Sequence, residues 1–232
     1  MIDHERDLVS VREATDRLLD AAASWDNAAA AEPSRLPGWT RGHVLAHLAR
    51  NADALVNVLE GRPMYPDAAT READIERDAY RPLDVQLADV RESADRLRAV
   101  GERPADWSRT VELRNGVTDS AARVPFRRWV EVALHHVDLG AGYGLEDLPE
   151  EFVLREIEFL ADRWSGRPEV PPVTLRLDPE EGPSWRTGGT EGTPVVLAGT
   201  GPELLGWLSG RGDKGARLVV LSGDGLPELP PL

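Results

Sequence analysis

The stretch WTRGHVLAHLARNADALVNVLEG, residues 39–61, decides the fold. Thr40 is a natural N-cap, because its hydroxyl can accept a backbone N–H of the first turn, and Gly61 followed by Pro63 is a natural stop. The spacing between them predicts a helix of about 20 residues. That helix carries two of the five histidines of the chain, His43 and His47, one turn apart on one face.

Working outward, residues 2–25 place Leu8, Val11, Leu18 and Leu19 at helical spacing among charges, which predicts a first amphipathic helix. Residues 33–38 read as a loop. Residues 63–82 are polar and proline-bounded. Helical spacing resumes over 83–100 through Val85, Leu87, Val90 and Leu97, before Gly101 and Pro104 end it. Residues 107–124 hold short β-leaning pieces around Asn115-Gly116, a hairpin-type pair. A fourth helix is predicted over 125–143, with Pro125 suited to its first turn and Gly140 or Gly144 to its end. Four helices with one long connection predict an antiparallel bundle.

After a Pro/Gly/Glu-rich break at 144–150 and a fifth helix over 152–164, the texture changes. VTLRLD (173–178), TPVVLAG (193–199) and RLVVLSG (217–223) alternate as strands do, around one helical piece, PELLGWLSG (202–210). The expected fold class is α+β: a helical bundle over 1–146, then a small α/β domain over 147–232.

Composition narrows the function. With 41% hydrophobic and 29% charged residues among 232, the chain reads as ordinary globular protein. No apolar run approaches the roughly 20 residues of a membrane helix. The opening MIDHERDL has no basic head or apolar middle, so the expected location is the cytoplasm. A net charge of −14 opposes binding to nucleic acid or an anionic membrane, and obliges any anionic substrate to be met by a few local arginines. The absence of cysteine removes disulfides, thiolate ligands and a cysteine nucleophile together. Any thiol chemistry must arrive on a cofactor.

Four of the five histidines form two local pairs, His43/His47 and His135/His136. Glu131 and His135 stand at i and i+4, so both can point at one spot between helices, and His47 of the facing helix can complete a three-ligand set. Two imidazoles and a carboxylate suit a zinc-type ion with an open position for water or substrate, whereas a closed four-ligand set would be structural. Zn2+, Ni2+ and Cu2+ all compete for such donors. His43 shares a face with His47, so a second histidine from that helix is also open on geometry. His136 projects about 100° from His135 and reads as packing or capping. Asp138, three residues after His135, can orient a ligand imidazole or can be a solvated helix-end charge. The seven tryptophans read as core and interface packing.

LPGWTRGHVLAHLARNADAL (36–55), GRPMYPDAATREADIE (61–76), RRWVEVALHHVDLG (127–140) and GPELLGWLSGRGDKGA (201–216) together resemble the mycothiol-dependent maleylpyruvate isomerase family, in matching order over nearly the whole chain. The resemblance implies a DinB-like four-helix bundle holding zinc on His47, Glu131 and His135, with His43 as a neighbour only. It implies mycothiol as second cofactor and a small dicarboxylate, maleylpyruvate, as substrate, isomerised to fumarylpyruvate. It also places a functional arginine at Arg211, in the GRGD loop, and a second anion contact at Arg71. The expected partners are the substrate and a low-molecular-weight thiol, with no nucleic acid or membrane, and the expected state is a monomer. The same scaffold also suits a mycothiol S-transferase acting on another electrophile, or a non-catalytic metal-binding module; the C-terminal domain with its GRGD loop and the lack of a basic patch argue against the module.

Overall fold

The computed structural model describes residues 2–178 and 182–230. The fold is α+β, in two compact units, Met1–Tyr143 and Gly144–Leu232. Among the described residues no helix is long and apolar enough to cross a membrane.

The first unit is a bundle of α1 (His4–Ala22), α3 (Arg41–Leu59), α5 (Leu83–Gly101) and α6 (Val124–Asp138), with the short α2 (Asn27–Ala31) and α4 (Ala68–Asp78) outside that ring. α3 packs on α5 and α6, and α1 packs on the same two helices, which closes the bundle. α3 is buried on nearly all faces, from Val44, Leu45 and Leu48 to Leu55 and Val58, as a central helix must be. Its start is fixed as the sequence predicts: the Thr40 hydroxyl accepts the His43 N–H at 3.4 Å, while His43 Nδ1 reaches back to the Thr40 N–H at 3.2 Å.

The polar 63–82 segment contains α4, which hydrophobic spacing does not announce. Asp67 caps it by accepting the Thr70 N–H at 2.7 Å. Its buried stripe is Arg71, Ile75 and Asp78, only one of them apolar. Charge holds it in place: buried Asp78 pairs with Arg50 of α3 at 3.3 Å and with Arg81 at 2.7 Å, and Arg50 continues to Asp89 of α5 at 2.6 Å. Desolvated, multiply paired carboxylates of this kind are costly to break.

α3 also passes the end of α4 very closely. A Cβ on Gly42 would lie 2.3 Å from the Ala79 carbonyl oxygen, which already accepts the Gln86 Nε2–H at 2.8 Å. Gly42→Ala would gain about 1 kcal/mol of helix propensity. The backbone clash outweighs it, and a net destabilisation of about 2 kcal/mol is expected in urea unfolding, with unchanged or raised stability as the contrary result.

The expected hairpin is present: β1 (Thr110–Glu112) pairs antiparallel with β2 (Thr118–Ser120), and Asn115 and Gly116 between them take φ of +61° and +71°. α6 ends sooner than predicted, at Asp138, with Gly140 at φ +67° just beyond.

The second unit is a four-stranded sheet with two helices. Strand order is β4 (Ser184–Thr187), β3 (Val173–Leu177), β5 (Val195–Gly199), β6 (Val219–Ser222), with β3 and β5 parallel and both outer pairs antiparallel. α7 (Glu150–Trp164) packs on α8 (Gly201–Ser209), and α8 packs on β3 and β5. Phe152, Ile157, Leu175, Leu197, Leu204 and Leu205 form its core. β4 escapes sequence reading because it is a mostly exposed edge strand without a hydrophobic alternation.

Candidate metal centre

α3 and α6 are neighbours, and their facing sides bring three side chains to one point. Glu131 Oε2 lies 2.9 Å from His47 Nε2 and 3.3 Å from His135 Nε2. One ligand atom from each residue lies within 4.8 Å of the others, and among the described residues this is the cluster of His, Asp and Glu with the spacing of a metal site. Donors that share a tetrahedral ion at roughly 2.0–2.2 Å stand about 3.3–3.5 Å apart, so the residues present fit such an ion. The cluster is sheltered, with 7% of the His47 side chain exposed, 14% of His135 and 35% of Glu131.

Electrostatics holds His47 and Glu131 in their ligand forms, while His135 has a proton to give up to an ion. Burial lowers His47 to about 4, helped by the charges of His135 and Arg71 against the opposing Glu131 bond, so the ring is neutral near pH 7. Burial pushes the Glu131 carboxyl up, but hydrogen bonds from His135 and His47 outweigh it and hold the group well below its usual range, as carboxylate. Burial lowers His135 too, but its bonds to Asp138 and Glu131 win and raise it.

Each imidazole has a partner on its other nitrogen. His135 Nδ1 is 2.9 Å from Oδ2 of buried Asp138, which selects the orienting role for that residue over that of a solvated helix-end charge. His47 Nδ1 is 3.1 Å from NH2 of Arg71, on the buried face of α4. The rings of His47 and His135 meet edge-on at 4.7 Å, and Trp39 lies 5.5 Å from His47. His43 faces away to Glu76, at 3.1 Å, and His136 stacks on Tyr143 at 3.9 Å. Arg211 belongs to the second unit, in the turn after α8, where its backbone N–H donates to the Gly206 carbonyl at 2.9 Å and its guanidinium to the Ser209 carbonyl at 3.2 Å.

Arg71 also lines a cavity of about 570 Å³ within the first unit, between the α3–α4 connection and the β1–β2 hairpin. Tyr65 lines it too, its ring beneath the Arg71 guanidinium at 5.7 Å. Sequence reading named Arg71 but missed Tyr65 and the other cavity arginines, Arg62, Arg109 and Arg114, since PMYP carries no helical or strand period and the hairpin reaches the cavity only through tertiary packing. The one available signal was Arg71 standing four residues before Ile75, on the same face of a capped segment.

An imidazole–carboxylate–imidazole cluster between facing bundle helices, followed by a small mixed sheet unit, defines a class: two-unit α+β proteins with a candidate metal-ligand set in the bundle. The family profile described as mycothiol maleylpyruvate isomerase N-terminal domain matches residues 11–140, and the profile for the C-terminal domain of the same proteins matches residues 147–231. The chain belongs to the mycothiol maleylpyruvate isomerase family. Among solved structures it is similar to the crystal structure of the mycothiol-dependent maleylpyruvate isomerase, with TM-score 0.85 and 27% identity over 99% of this chain and 97% of that one. A histidine-to-alanine mutant of that isomerase gives TM-score 0.86 at the same identity and coverage. No curated protein matches the chain.

Proposed function

We propose that this protein is a cis–trans isomerase that converts maleylpyruvate to fumarylpyruvate with zinc and mycothiol as cofactors. The observation that carries the reading is Glu131 Oε2 set between the Nε2 atoms of His47 and His135, in a chain of this family. When bound, the ion would lower the pKa of mycothiol and so supply a thiolate near neutral pH, the reversible nucleophile that cis–trans isomerisation of a conjugated double bond calls for. The chain has no cysteine to do this itself.

His47, Glu131 and His135 hold the ion, and Asp138 fixes the tautomer and direction of His135. None of them needs to transfer a proton. Asp138→Ala is expected to weaken zinc binding about 10–100-fold with the fold intact, read by chelator competition alongside circular dichroism. Unchanged affinity would leave Asp138 a helix-end charge.

During addition, negative charge gathers on the substrate carbonyl oxygen beside two carboxylates, so cations must stabilise it. Arg71 fits from the wall of the cavity next to the cluster, and Arg211 is the second cation, on the family resemblance of its GRGD loop. Arg211→Ala is expected to lower kcat/KM about 100-fold with little change in Tm. A loss of soluble protein instead would assign Arg211 to the structure of its turn.

The deciding experiment incubates zinc-loaded protein with maleylpyruvate and catalytic mycothiol, following fumarylpyruvate and free thiol together. Product with thiol unchanged supports the isomerase. Thiol consumed in proportion to substrate would make the protein an S-transferase, and no reaction despite bound zinc would overturn the substrate assignment.

A further inference from the structure

His47 makes two polar contacts that a bound metal cannot leave in place. Arginine has only donors, so the 3.1 Å contact from Arg71 NH2 requires Nδ1 to present its lone pair. The single ring hydrogen is then on Nε2, donated to Glu131 Oε2 at 2.9 Å. A neutral imidazole has one lone pair in the ring plane, and a metal ion takes it. If the ion takes Nε2, the hydrogen moves to Nδ1 and faces the N–H of Arg71, donor against donor. If it takes Nδ1, Arg71 is evicted directly. Both routes end the Arg71–His47 contact.

The displaced guanidinium already lines the neighbouring cavity and lies over Tyr65 there, interacting with the Tyr65 hydroxyl; its other partner is the exposed Glu72. Three more arginines line the same cavity. Arg62 is taken up by Asn57 and Glu60, and Arg109 by the Leu59 carbonyl. The Arg114 guanidinium has no hydrogen-bond or ion-pair partner among the described residues, and only Asp67, engaged in capping α4, and Glu112 oppose it from the cavity wall. Burial raises the Tyr65 hydroxyl, which stays a proton donor. Two cations and a phenol around about 570 Å³ match a small dicarboxylate, with space left over for a larger polar group.

We infer that metal and Arg71 compete for His47, so that loading the ion releases Arg71 to form, with Arg114 and Tyr65, a dicarboxylate site in this cavity. The inference rests on the reading of His47 as a metal ligand, and it gives the acidic protein an order of assembly: ion first, then anion. Linkage makes the coupling reciprocal, so a dicarboxylate tightens the ion by the same factor as the ion tightens the dicarboxylate.

The test measures zinc affinity by equilibrium competition with a chromogenic chelator, with and without maleate, an unreactive cis-dicarboxylate, after correcting for maleate bound to free zinc. Wild type, Arg71→Gln and His47→Ala are compared. Maleate is expected to tighten zinc about tenfold in wild type and not at all in Arg71→Gln. Calorimetry of maleate against metal-free and zinc-loaded wild type gives the same factor without any variant. Equal maleate affinity in the two forms, or a zinc–maleate coupling undiminished in Arg71→Gln, would overturn the inference while leaving the metal site standing. Zinc bound as tightly by His47→Ala as by wild type would overturn the metal reading, and the coupling with it.

Discussion

His47→Ala is expected to abolish stoichiometric zinc binding and to lower isomerisation at least about a thousandfold, in a protein that remains folded. His47 is the single member of the cluster that comes from α3; Glu131 and His135 stand one turn apart on α6. Without it two donors remain, both on one helix, and the ion loses the ligand that ties the two helices together. Removing a partner that merely orients a ligand costs about 10–100-fold in affinity, so removing a ligand itself costs more. The ring is 6% exposed and packs on His135 and Trp39, so the substitution also leaves a small cavity, at about 1–2 kcal/mol. That is too little to unfold a domain of ordinary stability. Metal analysis, circular dichroism and the isomerase assay on one preparation separate the two effects. A folded variant that keeps one zinc per chain would remove His47 from the site.

Arg128 gives the second large effect, on stability. It is fully buried on α6, and NH1 donates to the Leu48 carbonyl and to Asn51 Oδ1, both at 2.8 Å, pinning α6 to α3 one turn from Glu131. Nε and NH2 find no hydrogen-bond partner among the described residues. Burial drives the guanidinium down to about 10, so holding the charge costs about 3 kcal/mol. A base with a lowered folded value bears that cost in full below the folded value, and the cost fades only as pH rises through about 10. At neutral pH it is therefore complete. Two substitutions part the contributions. Arg128→Ala removes the charge but opens a cavity and orphans two acceptors, and a loss of about 3 kcal/mol is expected in urea unfolding. Arg128→Met removes the same charge and keeps most of the volume, and its stability should stay within about 1 kcal/mol of wild type. If the two variants unfold alike, volume is not what Arg128 supplies, and its hydrogen bonds to α3 are.

Much of the architecture is legible along the chain because its determinants are local. Thr40 and Gly61 bound α3 from within one turn, and the Asn115-Gly116 pair fixes a left-handed turn wherever it stands. The i, i+4 spacing puts Glu131 and His135 on one face before any neighbour is known. α4 and β4 are less legible: α4 buries an arginine and an aspartate along with one isoleucine, and β4 is a bare edge, so neither writes a hydrophobic period.

Legible in the residues alone are the α+β class, the succession of the main helices and strands, the placing of Glu131 and His135 on one helix face, and that any thiol chemistry must come from outside a chain without cysteine. It takes the packed bundle to bring His47, which the family resemblance singles out over His43, to that pair, to choose between the two roles open to Asp138, and to carry Arg71 to His47 across 24 residues of chain. Two of these contacts join helices and one cause serves both, whereas Asp138 meets His135 on its own helix. A helix period tells which side chains share a face, but not which polar group of another element they meet. His47 finds Glu131 84 residues away, and Arg128 finds the Leu48 carbonyl 80 residues away. Those distances close only when the bundle does.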